Sequence, residues 1–187
     1  MTAAYSLEDY VADLRRIAAE ESDQAALVAR LKPLAGRLAE DRSWLRDDHR
    51  RVDPAQGFGV HLLHEERDHD LAVFVFAWAP GRGVGAHDHK TWAVVVGLEG
   101  EETEDTYRRR DDGIRPGFAD LAESGRGKLT PGDVVSCLPD DIHAVRNSGE
   151  RVSVSLHTYG RHLNHTGRSV FDIAAKTERP LVVKVET

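Results

Sequence analysis

Gly81-Arg82-Gly83-Val84-Gly85-Ala86-His87-Asp88-His89 is the stretch on which the reading of this chain turns. His87 and His89 are two positions apart, and side chains at that spacing share one face of a β-strand. Two imidazoles then lean toward one point, which is how a strand presents a pair of metal ligands. His143, from a distant strand, would complete a facial set and leave coordination positions open. Open positions beside nitrogen ligands mark a catalytic rather than a structural site. An HxH pair alone also fits ordinary polar residues at a strand end, so the surrounding pattern has to decide. Asp88, between the two histidines, should point away from the ion.

Outward from this stretch the pattern is one of short strands. Val60 to His64, Leu71 to Trp78, Trp92 to Leu98, Glu101 to Tyr107, Val134 to Leu138, Ala144 to Asn147, Val152 to Tyr159, Val170 to Ile173 and Leu181 to Val185 are rich in β-branched and aromatic residues. Pro80-Gly81, Pro131-Gly132 and Ser148-Gly149 punctuate them. Arg108 to Gly127 is a polar loop or hairpin excursion. Many short strands with Gly and Pro turns indicate a β-sandwich or small barrel. Residues 6 to about 49 read as helical. Ser6 suits the N-cap, and Glu8 and Asp9 suit the first turn. Leu7, Tyr10, Val11, Leu14 and Ile17 form one helical stripe, and Ala25, Leu27, Val28, Leu31 and Leu34 a second. Pro33 should break or restart the helix. The expectation is one domain over 1–187, with a helical extension over 1–50 packed on one side of a β-barrel over 57–187.

Composition narrows the function. The formal charge of −7 comes without a basic block, which argues against nucleic acid. No apolar run approaches a membrane span, and the N-terminus lacks a signal-peptide core, so the expected location is the cytoplasm. Cys137 is the only cysteine, which excludes an internal disulfide and a Cys-based zinc site. Oligomeric state is not legible.

The histidines sit in a wider motif that resembles the cupins. Their first motif is a glycine, five residues, HxH, three or four residues, a glutamate, six residues and a glycine. Gly81, His87, His89 and Gly100 match, and Ala93 replaces the glutamate. Gly132, Pro139, His143 and Asn147 match the second motif, with Asp141 where a glycine is preferred and two spacings changed by one residue. The resemblance covers roughly residues 57 to 160 and implies a mainly β, jelly-roll-like cupin β-barrel. Without the glutamate the three ligands are neutral, and the ion keeps its full double charge. That favours an anionic co-ligand such as a thiolate and leaves room for dioxygen.

A closer resemblance is to the thiol dioxygenases of the cysteine dioxygenase type I family. Ser155-Leu156-His157-Thr158-Tyr159-Gly160 is similar to the family's Ser-x-His-x-Tyr triad, and by parity Ser155, His157 and Tyr159 share one strand face. Trp78-Ala79-Pro80-Gly81, His87 to Trp92, and Gly167-Arg168-Ser169-Val170-Phe171 carry the likeness over nearly the whole chain. It implies iron(II), Fe(2+), on His87, His89 and His143, with Ser155, His157 and Tyr159 as the catalytic row. Animal-type members place a substrate-binding arginine where Val60 stands. They also carry a cysteine near Ala93 that crosslinks to the triad tyrosine, so no such crosslink is expected here. The chain is more similar to the bacterial 3-mercaptopropionate dioxygenase branch, whose carboxylate-binding arginine matches Arg168. Members there often have glutamine at the Val60 position.

The implied reaction joins a small carboxylated thiol and O2 to give a sulfinic acid. Cysteine dioxygenation, diketone cleavage by a different three-histidine cupin, and a non-enzymatic metal-binding module remain alternatives. Three imidazoles also suit zinc, nickel and copper. Ser155 is not read as a hydrolase nucleophile, because neither an acid partner nor a nucleophile elbow accompanies it. His61, His64, His69, His162 and His165 are read as surface residues, the last two near the pocket mouth.

Overall fold

The computed structural model describes residues 5–187. Two helices open it: α1, Leu7–Glu20, and α2, Gln24–Glu40. Ser6 caps α1 through a reciprocal box, accepting from the Asp9 amide at 3.1 Å while the Ser6 amide donates to the Asp9 carboxylate at 3.0 Å. Asp23 caps α2 in the simpler way, accepting from the Ala26 amide. Helical structure is therefore interrupted at residues 21–23, and after α2 only a short 3₁₀ turn, Asp47–Arg50, follows.

Pro33 does not break the chain as expected, because α2 runs through it. Proline removes one amide donor, which frees the carbonyl of Ala29. Ala29 and Pro33 are both exposed, so water can take that carbonyl. The opposite stripe, Leu27, Val28, Leu31, Ala35 and Leu38, is buried and holds the helix together across the defect.

The strands form two antiparallel sheets. The first has five strands: β1 (Phe58–His64), β2 (Asp70–Trp78), β4 (Ala93–Glu99), β7 (Val134–Cys137) and β9 (Ser153–Arg161), ordered β1-β2-β9-β4-β7. The second has six: β3 (Gly83–His87), β5 (Glu102–Arg109), β6 (Leu121–Leu129), β8 (Ile142–Asn147), β10 (Ser169–Asp172) and β11 (Thr177–Pro180), ordered β11-β10-β3-β8-β5-β6. This mainly β, two-sheet architecture is the jelly-roll that the cupin motifs imply, with the helices on one outer face.

Alternation along β9 divides its residues between two cores. Val154 and Leu156 pack outward with Leu31, Leu38 and Val96 under the helices. Thr158 joins them, its hydroxyl 2.8 Å from the buried hydroxyl of Tyr10. Ser155, His157 and Tyr159 point the other way, between the sheets. Burying each large helical side chain removes it from water for about 1.5–3 kcal/mol, so the helices seal the outer face of the sheet whose inner face carries polar groups.

The chain end departs from expectation. Leu181 to Val185 forms no ladder strand, and β11 lies earlier, at Thr177–Pro180. Side-chain amides take the place of a partner strand. The Asn164 amide bonds both backbone groups of Val183, and Gln56 bonds both of Lys184. No helix among the described residues is long and apolar enough to cross a membrane.

Candidate metal centre

Three histidines converge. His87 ends β3 and lies directly opposite His143 on β8. His89 follows two residues beyond the end of β3. Ring centroids are 4.6 Å apart for His87 and His143, 4.9 Å for His89 and His143, and 5.0 Å for His87 and His89. All three rings are buried, and one nitrogen of each lies within 4.8 Å of the others.

Their hydrogen bonds assign the free nitrogens. Nδ1 of His87 meets the Gly85 carbonyl at 2.9 Å, and Nδ1 of His143 meets the Glu104 carboxylate. Both partners are acceptors, so each Nδ1 carries the proton and each Nε2 keeps its lone pair. Nε2 of His143 lies 3.3 Å from Nε2 of His89. Burial, with repulsion from His143, holds the proton affinities of His87 and His89 well below the usual histidine range. Neutral imidazoles with converging lone pairs fit a divalent cation. The Glu104–His143 pair is a contact that fixes the orientation of this imidazole.

The same small cavity is walled by Phe76, Trp78, Val84, Val95, Val145 and Val183 and also admits His157, Tyr159 and Arg168. Arg168 is only 4% exposed, and its Nε and one terminal nitrogen, Nη2, are buried without a hydrogen-bond partner. A buried, unpaired guanidinium is unfavourable until an anion meets it. Its position is fixed by the histidine stretch itself. Asp88 accepts from the Ser169 amide at 2.7 Å, and the Asp88 amide donates to the Ser169 carbonyl. Asp88 thus pins the residue after Arg168 to the segment carrying two of the three histidines, a role its place in HxH did not announce.

The row on β9 is formed. Ser155 Oγ lies 2.9 Å from His157 Nε2, and His157 Nδ1 lies 3.0 Å from the Tyr159 hydroxyl. Burial, with His143 and Arg168 nearby, lowers His157 to about 3, so this ring is neutral. Burial raises Tyr159, so its phenol stays protonated, although Arg168 acts in the opposite direction. One expectation needs correction, and one buried acid was not anticipated. Glu102, on β5, is only 3% exposed. Its strand, Glu-Thr-Glu-Asp-Thr, reads as a charged solvent face, which concealed both Glu102 and Glu104. His61 and His162 are buried rather than on the surface, His61 bonding the Arg51 carbonyl and His162 accepting from the Asn164 amide.

Cys137, distant in sequence, is close in space. It pairs with Ala93 on β4, whose other neighbour is Tyr159 on β9. Two strand spacings, about 10 Å, separate the Cys137 and Tyr159 backbones, and the Tyr159 hydroxyl is engaged by His157. Val60 is fully buried in the apolar cluster of Phe58, Phe74, Phe76 and Trp78.

Fold and site define a cupin with a three-histidine pocket. The chain belongs to the cysteine dioxygenase type I family, a model of which matches residues 2–168. This is a family of thiol dioxygenases that use non-haem iron, and the donor set found here fits that metal. Similar solved structures include a double-stranded β-helix protein from Klebsiella pneumoniae, 20% identical over 65% of this chain and 90% of that one, TM-score 0.45. A cupin superfamily protein from Desulfitobacterium hafniense is 17% identical over 59% and 81%, TM-score 0.43. A DMSP lyase from Ruegeria pomeroyi is 20% identical over 67% and 58%, TM-score 0.46.

Proposed function

We propose that this protein is an iron(II)-dependent thiol dioxygenase that converts a small carboxylated thiol of the 3-mercaptopropionate kind, with O2, into its sulfinic acid. The observation that carries the reading is the unpaired, buried guanidinium of Arg168 in the same cavity as three converging imidazoles. His87, His89 and His143 would hold the metal, which supplies the Lewis acidity that makes a thiolate and the redox capacity for dioxygen chemistry.

The chain's own residues bind and orient. Arg168 takes the substrate carboxylate in a charge-assisted, two-pronged bond, which fixes the thiol end toward the histidines. The Tyr159 phenol, neutral and tethered by His157, offers one hydrogen-bonding group beside them. Phe76, Trp78, Val95 and Val145 exclude water, which strengthens each polar contact inside. Among the described residues the cavity lining holds one guanidinium and no carboxylate, which supports a thiol without an ammonium group over cysteine. The stoichiometry is RSH + O2 → RSO2H, with both oxygen atoms ending on sulfur.

Oxygen uptake by the iron-loaded protein with 3-mercaptopropionate, cysteine, mercaptosuccinate and a diketone tests this. Uptake should be fastest with 3-mercaptopropionate and should yield one sulfinate per O2. Preference for cysteine or for the diketone would replace the substrate, and uptake with none would leave a metal-binding module.

A further inference from the structure

A second group of donors stands beside the three-histidine set and shares one ring with it. A carboxylate oxygen of Glu104, the sulfur of Cys137 and a ring nitrogen of His143 all lie within 4.8 Å of one another. They come from both sheets. Thr106 on β5 pairs with His143 on β8, and Glu104, two residues before Thr106, shares its face and reaches Nδ1 of His143. Cys137 pairs with Ala93, and Ala93 with Tyr159, so the thiol shares the inward face of the five-stranded sheet with the Tyr159 phenol. A single cysteine excludes a site made of thiolates alone, and the fold supplies the two other donors from distant strands.

Each donor is placed for a cation. Cys137 is 6% exposed, and among the described residues its sulfur makes no hydrogen bond. Nδ1 of His143 faces Glu104 while Nε2 faces His89, so the ring presents one nitrogen to each group. A cleft lined by all three donors opens this side to solvent beside β7, the edge strand of its sheet. Lys32 and Arg108 also line it, on long side chains that carry their charge into water. The inner set has three neutral donors. The outer set has a carboxylate and a thiol that becomes a thiolate on a metal, so two negative charges would meet a divalent ion. Thiolate, imidazole and carboxylate together form the donor chemistry of zinc and of its heavier congener cadmium.

We propose that Glu104, Cys137 and Nδ1 of His143 form a second metal site, open to solvent, for a thiophilic divalent cation such as zinc or cadmium. Binding makes one bond from the ion to sulfur, one to oxygen and one to nitrogen, with no change of oxidation state. The thiol proton leaves to solvent. The Nδ1 proton leaves with it, or passes to Nε2 when that nitrogen carries no ion. Three protein donors leave the fourth tetrahedral position to water. The ion replaces the Glu104–His143 hydrogen bond, so the orientation of the shared ring follows the occupancy of the outer site. The assignment needs these three donors only and is independent of the thiol reaction.

The test is titration of the full-length protein with cadmium ion alone, in thiol-free buffer, read by the ultraviolet sulfur-to-cadmium charge-transfer band. His87→Ala breaks the inner set and isolates the outer one. It should give the band and saturate at about one cadmium–thiolate per chain. Adding Glu104→Gln should weaken this binding more than about 100-fold, beyond the range for losing a group that only supports a ligand. ¹¹³Cd NMR of the His87→Ala protein with ¹⁵N-labelled histidine should show the same cadmium coupled to Nδ1 of His143. Absence of the band overturns the proposal. So does a band whose affinity Glu104→Gln leaves unchanged, or a cadmium coupled to no ring nitrogen, since either reports an adduct of the cysteine alone. The NMR coupling decides the matter even where Glu104→Gln fails to fold.

Discussion

The two walls of the cavity differ in kind. The six-stranded sheet and the loops leaving β3 and entering β10 carry the three histidines and Arg168. The five-stranded sheet carries apolar side chains and the uncharged row Ser155, His157, Tyr159. The guanidinium and the imidazole cluster stand on one side, and neutral hydrogen bonds on the other. Glu104 and Glu102 differ as well. They share a face of β5, yet Glu104 bonds the histidine of its own sheet while Glu102 is buried without a cationic partner among the described residues. A carboxylate in direct contact with an imidazole orients it. A buried carboxyl with no counter-charge holds its proton instead.

The strongest way to break this comparison is to empty the charged wall. His143→Ala should reduce bound iron from about one per chain to background, and thiol oxidation with it. Metal analysis that still finds stoichiometric iron would remove His143 from the ligand set. Arg168→Ala comes next. It should raise KM for carboxylated thiols on the order of 100-fold, about 3 kcal/mol for losing a buried charged contact, and hardly change KM for cysteamine. Equal effects on both would take Arg168 out of the carboxylate role.

Glu102 responds through stability. Native Glu102 keeps its proton up to about 7, against 4.5 as the ordinary value. Between those values the unfolded chain binds fewer protons than the native one, so stability falls as pH rises through that window. Glu102→Gln cannot ionise. It should be more stable than wild type above about pH 7, by at most about 3 kcal/mol, and the difference should close below about pH 4.5. Urea unfolding at several pH values checks the sign, and a gap that widens toward acid would contradict it. Glu104→Gln sharpens the contrast with the smallest effect. It should weaken metal binding about 10- to 100-fold, or about 1.4–2.7 kcal/mol.

Sequence periodicity carried most of the fold. The alternation in Val154-Ser155-Leu156-His157-Thr158-Tyr159 put three polar groups on one face and three helix-facing groups on the other, and the structure has that division. The two motifs gave His87, His89 and His143; strand pairing sets His87 opposite His143, while His89, expected on the same strand, lies in the loop that follows it. The proline in α2 and the chain end were misread because tertiary packing overrode a local preference. A buried stripe held α2 through Pro33, and Asn164 and Gln56 satisfied the backbone near Val183.

What the sequence determined by itself is which side chains share a face, because strand and helix periods are local properties of the backbone. What only the tertiary structure decided is which of those faces lost water, and against what. Glu102, Glu104, Asp88 and His61 look like solvated residues until a second sheet or a neighbouring loop covers them. The proton affinity and bonding of a polar group follow from that cover, which is assembled by residues far away along the chain.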